Sequence, residues 1–140
     1  MKNNKLLIIS YYWPPSGGSG VQRWLNFSNS LVKKGWDITV FTAENANYPI
    51  LDNELQNNID QSIKVFSIPI LEPSSLFKKN SSDNIKSSNI FQKIKLWIRA
   101  NLFFPDSRMF WIKDVTKQAI NYIKNNNIDC LITTAPPFST

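Results

Sequence analysis

The sequence predicts an α/β domain in which a mostly parallel β-sheet is covered by helices on both faces. Short, continuously apolar runs are typical of strands buried on both sides, and segments with helical periodicity alternate with them along the chain. The 140 residues, of which 42% are hydrophobic and 19% charged, are enough for one domain with its own core. We therefore expect residues 1–140 to form a single domain.

The first part of the chain predicts a βαβ unit. Lys5–Ser10 (KLLIIS) is expected to form the first strand, and Asp37–Thr42 (DITVFT) the second. Between them, apolar residues from Val21 onward fall on one face of a helix, and Gly35 ends it because glycine readily adopts the left-handed conformation. A right-handed crossover of this length makes the two strands parallel.

The rest of the chain predicts elements that complete the sheet. They are a short helix around 52–59, a strand at Ile63–Ile68, an amphipathic helix at Ile90–Phe104, a helix at Met109–Asn125 and a strand at Asp129–Ala135. Residues 71–89 are expected to form a long loop. Cys130 lies within the last predicted strand, where we expect a small core residue.

The residue inventory excludes several classes of function. The chain has no histidine, which excludes Ser-His-Asp and Cys-His catalysis and His-ligated metals. A single cysteine excludes an internal disulfide and a Cys-x-x-Cys metal site, and no apolar run reaches the ~18 residues of a membrane span. A soluble, cytoplasmic protein is therefore expected.

The net charge of +6 is confined to one segment. Residues 76–113 contain eight of the 16 Lys and Arg residues but only two of the ten Asp and Glu residues. The segment is also rich in aromatic residues, so two interpretations stay open: a solvated face over an aromatic core, or a patch that binds an anionic membrane surface. The residues of this predicted membrane patch are Lys93, Lys95, Trp97 and Arg99. Because lysines far outnumber arginines, we expect no nucleic-acid partner.

The connection after the first strand is the strongest candidate for a ligand site. Its sequence, YYWPPSGGSG, joins a predicted buried strand to a helix start, where glycines let backbone N–H groups approach an anion and the helix dipole favours negative charge. The candidate residues are Gly17, Gly18, Ser19, Gly20 and Arg23. Their spacing matches neither G-x-G-x-x-G nor Walker A. The alternative is a tight turn that needs glycine for packing alone.

Other candidate residues have two interpretations each. Asp106 either caps the helix that follows it or faces a ligand cleft. Residues 136–139 (PPFS) either stop the last strand or line the same sheet edge as the glycines. Tyr11, Tyr12 and Trp13 either stack on a ligand or are buried packing residues.

Three stretches together resemble the N-terminal domain of glycosyltransferase family 4. They are YYWPPSGGSGVQRWLNFSNSLVKKGWDITVFT from Tyr11, FPDSRMFW from Phe104 and DCLITTAPPFST from Asp129. Enzymes of this family retain anomeric configuration and have the two-domain GT-B fold, so the resemblance implies a Rossmann-like sheet and the N-terminal half of such an enzyme. The nucleotide-sugar domain is then expected after residue 140.

The resemblance also implies roles for individual residues. Gly17, Gly18, Ser19, Gly20 and Arg23 would bind the donor phosphates or the acceptor, while the acceptor wall would consist of Asp106, Phe138 and Ser139. The partners would be a nucleotide-sugar donor and a glycan or lipid-linked acceptor, without a metal or other cofactor. Some relatives have a histidine near the sugar that this chain lacks, so the catalytic residues stay unassigned. The alternative is a stand-alone nucleotide- or anion-binding module without catalysis.

Overall fold

The protein contains a four-stranded, all-parallel β-sheet with helices packed against it. The computed structural model describes residues 4–44, 46, 48–70 and 109–135. The strands are β1 (Lys5–Ile9), β2 (Asp37–Glu44), β3 (Lys64–Pro69) and β4 (Cys130–Thr133). The helices are α1 (Ser19–Lys33), α2 (Glu54–Asn57) and α3 (Met109–Asn126). The α/β fold class predicted from the sequence is confirmed at this level.

The order of the strands is β3-β2-β1-β4, which matches the first four strands of a Rossmann-like sheet. Strand β1 is central because β2 and β4 pair with its two edges, and four of its five residues are buried. A strand flanked on both edges and covered on both faces must be apolar throughout, which explains the run Leu6–Ile9.

Alternate residues of the strands point into two separate cores. Leu6 and Ile8 pack with Val21 and Leu25 of α1, whereas Leu7 on the other face packs with Trp111 of α3. From β1 to β2 the chain moves toward one edge of the sheet, whereas from β3 to β4 it moves toward the opposite edge. Right-handed crossovers therefore place α1 and α3 on opposite faces, as the two cores show.

Helix α1 follows from its sequence pattern. Val21, Leu25 and Ser28 are buried at helical spacing, and Lys33 lies in the last turn, where the helix dipole favours a cation. Gly35 has a φ of 84° and ends the helix as predicted. The Lys34 and Gly35 amides donate to the carbonyls of Leu31 and Val32, which satisfies the end of the helix.

One sequence prediction is wrong: Cys130 is exposed rather than part of the core. Within the described residues β4 pairs only with β1 and forms one edge of the sheet. Helix α3 packs over β2 and β3, toward the opposite edge. The beginning of β4 is therefore uncovered, and Leu131 is exposed as well. The predicted loop at 71–89 and the predicted helix at Ile90–Phe104 lie outside the described residues.

The strand order creates a switch point between β1 and β4. The chain leaves β1 toward β2 on one side, whereas β4 lies on the other side of β1. In open α/β sheets, ligands bind beyond the carboxyl ends of the strands at such a point. We therefore expect a ligand site at the ends of β1 and β4.

Among the helices that the structure describes, none combines the length and the apolar character that a membrane-spanning segment requires.

Candidate functional site

Hydrogen bonds join the carboxyl ends of β1 and β4. The Oγ1 of Thr134 donates to the Oγ of Ser10 at 2.9 Å, and the backbone amide of Thr134 donates to the carbonyl of Ile9. The Oγ of Ser10 in turn donates to the carbonyl of Tyr12, while its amide donates to the carbonyl of Phe41 in β2. Ser10 therefore fixes the point at which the chain leaves the sheet and enters the glycine-containing connection.

The first residues of this connection form an aromatic cluster. Tyr11 and Trp13 are fully buried, so the packing interpretation holds for both, whereas Tyr12 is half-buried. The Tyr11 ring lies edge-on to Tyr12 and to Trp111 of α3, with centroid distances of 5.0 and 5.5 Å. Tyr48, from the connection after β2, completes the cluster at 6.0 Å from the Tyr12 ring.

Gly17 has a packing role. Its amide donates to the carbonyl of Ile50 at 2.9 Å, and a Cβ on Gly17 would lie 2.8 Å from Cγ2 of Ile50. Just before Gly17, Ser16 forms a β-bridge with Leu51, and the carbonyl of Pro15 accepts a hydrogen bond from the Asp52 amide. Any side chain larger than hydrogen would push residues 50–52 away, and the Gly17 amide is already occupied. Its role as a ligand contact stays a prediction.

Gly18 and Gly20, in contrast, are open. Apart from chain neighbours and the helix's own backbone, no heavy atom of the described residues would lie within 4 Å of a Cβ on either glycine. Gly18 precedes α1 with a φ of 116°, which only glycine adopts easily, and so its identity has a backbone reason. Gly20 lies inside the helix without a positive φ and without a close neighbour, although glycine weakens a helix. The part of the fold that the structure describes therefore gives no reason for glycine at position 20.

The first turn of α1 is uncapped. Its N-cap residue is Gly18, which has no side chain, and no acidic residue lies in its first turn, so among the described residues its first amides have no intrahelical or side-chain acceptor. Ser19 and Arg23 are exposed at this end. Asp52 lies close to Gly17, and its Oδ1 accepts a hydrogen bond from the amide of Glu54. Amides and one guanidinium are thus available to an anion next to the switch point.

Three buried polar side-chain atoms without hydrogen-bond partners lie at this end of the sheet: Trp13 Nε1, Ser16 Oγ and Trp111 Nε1. Two belong to the connection after β1, and Trp111 belongs to the first turn of α3, against Tyr11. In the part of the chain that the structure describes, these are all the buried side-chain polar atoms left unpaired. A buried polar atom without a hydrogen-bond partner lowers the free energy of unfolding, and a functional site is one reason for a protein to retain it.

A polar depression of about 430 Å³ lies at the other end of α1. It is lined by Asn29 and Lys33 of the helix and by residues 57–61. Asn29 binds this segment with both ends of its amide, donating to Asn58 and accepting from Asp60. Because this depression lies near the amino end of β2, the switch-point rule does not favour it as the ligand site.

Several predicted site residues lie outside the described residues: Asp106, Phe138, Ser139, Lys93, Lys95, Trp97 and Arg99. The described part brings together Gly17, Gly18, Ser19, Gly20 and Arg23 at the beginning of α1. Sequence reasoning missed Ile50 and Thr134, which approach the connection from the segments that follow β2 and β4 and leave no local signal. Within the described ranges no three His, Cys, Asp or Glu side chains lie together as metal ligands would.

Comparison of the chain with models of protein families, with curated proteins and with solved structures found no match.

Proposed function

We propose that this chain is the N-terminal, acceptor-side domain of a retaining glycosyltransferase of the GT-B fold. The enzyme would transfer a sugar from a nucleotide-sugar donor to a glycan or lipid-linked acceptor in cell-surface polysaccharide biosynthesis. The support consists of the parallel sheet with its switch point at β1 and β4, the open start of α1, and the family resemblance of the sequence around both.

The observation that carries the proposal is Gly20. It stands in the first turn of α1, beside the switch point, and within the described residues neither backbone conformation nor packing requires glycine there. A residue that weakens its own helix without a structural return is most simply explained by a ligand that approaches the backbone closely.

The chemistry of sugar transfer suits this arrangement. As the bond to the leaving nucleoside diphosphate breaks, oxocarbenium character develops on the sugar and negative charge grows on the diphosphate. Backbone amides at a helix start, together with the Arg23 guanidinium, stabilise that charge without having to reorganise. The chain's part in this mechanism is to bind and orient an anionic group at the first turn of α1.

A titration of the ¹⁵N-labelled chain with nucleoside diphosphates and nucleotide sugars tests the proposal. We expect the amide signals of Gly18, Ser19 and Gly20 to shift with a common dissociation constant, while those of Gly35 and Asn58, at the far end of α1, stay unchanged. Unchanged signals at the helix start up to millimolar ligand would overturn the proposal. Binding without any transfer or hydrolysis by the protein that contains this chain would favour the stand-alone binding module.

The membrane part of the proposal rests on sequence charge. Residues 76–113 carry an excess positive charge of +6. Such a charge would attract the enzyme to the anionic cytoplasmic face of a membrane, where a lipid-linked acceptor lies. Replacing Lys93, Lys95 and Arg99 by Glu is expected to abolish binding to vesicles containing anionic lipid, and to leave binding to neutral vesicles unchanged. Equal partitioning of the variant and the original chain would assign these residues to a solvated face.

A further inference from the structure

We infer that the polar depression beside Asn29 and Lys33 binds a neutral carbohydrate chain, the glycan part of the acceptor. The inference deepens the proposed function and rests on it for the identity of that chain as the acceptor. It assigns a ligand to a surface away from the start of α1, and no nucleotide sugar has to bind there. The volume of the depression, about 430 Å³, falls within the range of ~300–1,000 Å³ that is usual for small-molecule sites.

Internal hydrogen bonds hold the wall of the depression in place. The side-chain amide of Asn29 donates to the carbonyl of Asn58 at 2.7 Å, and its oxygen accepts from the amide of Asp60 at 3.1 Å. The Oδ1 of Asp60 in turn accepts from the amide and the hydroxyl of Ser62 at 3.0 and 2.7 Å. Leu55, which is buried in the core beside α1, anchors the beginning of this segment. Because the wall is fixed beforehand, little entropy is lost when a ligand binds to it.

The depression also presents hydrogen-bonding groups that the described part of the chain leaves unused. They are the carboxamides of Asn57, Asn58 and Gln61, the ammonium group of Lys33 and the Oδ2 atom of Asp60. A carboxamide both donates and accepts hydrogen bonds, as a sugar hydroxyl does, whereas an ammonium group only donates and a carboxylate only accepts. The lining can therefore form hydrogen bonds with several hydroxyl groups at once, in either direction.

The charge of the lining favours a neutral ligand over an ionic one. Among the described residues that line the depression, Lys33 and Asp60 are charged, and their charges cancel. A phosphate group would be attracted by the first and repelled by the second. Half-buried Ile59 adds apolar surface, against which the C–H groups of a sugar ring can pack. A ligand with both hydroxyl groups and apolar ring faces fits this lining, and a carbohydrate has both.

The connection after β2 runs from the start of α1 to the depression. Residues 50–52 of this connection lie against residues 15–17, just before α1, and residues 58–60 lie against Asn29. Gly20 and Asn29 are nine positions apart, which is about 14 Å along the helix axis. An oligosaccharide spans such a distance, whereas a single sugar does not. A glycan whose end lies at the proposed transfer site can therefore place its earlier units in the depression.

Titration of the ¹⁵N-labelled chain with neutral tetrasaccharides tests the inference without any substitution. The probes are maltotetraose, cellotetraose and chitotetraose. We expect at least one of them to shift the side-chain amide signals of Asn57, Asn58 and Gln61, and to leave that of Gln56, outside the depression, unchanged. Unchanged signals in the depression with all three sugars, up to their solubility limits, would overturn the inference. Shifts produced there by inorganic phosphate but by none of the sugars would also overturn it.

Substitutions separate recognition from a structural role. Asn57→Ala and Gln61→Ala remove side chains that form no hydrogen bond within the described residues, so both variants are expected to fold. Each should bind the tetrasaccharide roughly two- to tenfold more weakly, which is the contribution of one neutral hydrogen bond. The matched control is Gln56→Ala, in the same short helix as Asn57 but outside the lining, and its affinity should not change. Affinities of the first two variants equal to that of the control would overturn the inference.

The outcomes distinguish this inference from the proposed function. Nucleotide-induced shifts of the Gly18 and Gly20 amides, without sugar-induced shifts in the depression, would overturn the glycan site and leave the proposed function standing. Sugar-induced shifts without nucleotide-induced shifts would overturn the proposed function, and with it the identity of the glycan as an acceptor. Absence of both would overturn both, and the presence of both, with weaker binding by Asn57→Ala and Gln61→Ala, supports both.

Discussion

The hydroxyl of Thr134 donates a buried 2.9 Å hydrogen bond to the hydroxyl of Ser10, and this bond joins the ends of two strands that are far apart in sequence. It lies where the chain order of the sheet reverses, directly below the connection that we propose as the ligand site. A tie between strand ends at this position would hold the base of the proposed site rigid.

Replacement of Ser10 by Ala is expected to destabilise the protein by about 1–3 kcal/mol. The Oγ of Ser10 both accepts from the buried Thr134 hydroxyl and donates to the half-buried carbonyl of Tyr12, so its loss removes two hydrogen bonds. Urea unfolding gives the free energy of unfolding. The matched control is Ser30→Ala, because Ser30 is exposed on α1 and donates only along its own helix, to Asn26. Equal effects of the two substitutions would contradict the structural role of Ser10.

Gly17→Ala is expected to destabilise the protein by about 1–3 kcal/mol, because the new methyl group would lie 2.8 Å from Cγ2 of Ile50. Ile50 is 59% exposed, so Ile50→Ala alone should change stability little. The double variant, which removes the clashing methyl group, should recover most of the loss. A double-mutant cycle by denaturant unfolding measures the coupling, and additive effects would show that the two residues do not meet.

Gly20→Ala should separate stability from ligand binding. The helical conformation and the open space at position 20 accept a methyl group, so we expect the free energy of unfolding to rise by roughly 0.4–1 kcal/mol. We expect affinity for a nucleotide sugar to fall, since the methyl group stands where the ligand approaches the backbone. Urea unfolding and calorimetric titration give the two quantities. A gain in stability with unchanged affinity would remove the main support for the proposed function.

The acid dependence of stability should include a contribution from Asp60. Hydrogen bonds from the amide and hydroxyl of Ser62 lower the pKa of Asp60, with a smaller effect of the Lys33 charge, and desolvation opposes them. A carboxyl whose pKa is lower in the folded state stabilises the protein above its unfolded pKa, and this contribution is lost as pH falls through the folded pKa. Asp60→Asn should therefore show a weaker loss of stability below pH ~5.

Carboxyl signals in NMR spectra provide the direct measurement for Asp60. We expect its titration midpoint to lie below that of an ordinary aspartate, and Ser62→Ala to return it only part of the way, because the amide of residue 62, the largest cause of the lowered pKa, still donates to the carboxylate. Lys33→Gln should move it less, because the hydrogen bonds from Ser62 are the larger cause. A larger effect of Lys33 than of Ser62 would reverse the order of causes.

Local sequence patterns were sufficient to predict the elements of the sheet. The run Leu6–Ile9 predicted a strand buried on both faces, and the spacing of Val21, Leu25 and Ser28 predicted the buried side of α1. Strand β2 is longer than predicted, because Ala43 and Glu44 are held by pairing with Ile68 and Pro69 of β3. Such pairing depends on residues from another part of the chain, which a local pattern does not include.

The errors and omissions have the same origin. Apolar patterning identified β4 but did not indicate that its beginning would lie uncovered, so Cys130 was wrongly predicted as a core residue. The sequence also indicated why glycines occur before α1, but not which glycine serves which purpose. Only the approach of Ile50 distinguishes Gly17, where glycine is required for packing, from Gly20, which has no packing neighbour among the described residues.

The β-bridge between Ser16 and Leu51 makes the connections that follow β1 and β2 one mechanical unit. If ligand binding displaced the first connection, the second connection would move with it. An insertion near Leu51 would likewise change the position of the backbone at the beginning of α1. A change in the ligand specificity of the proposed site therefore requires both connections to be redesigned together.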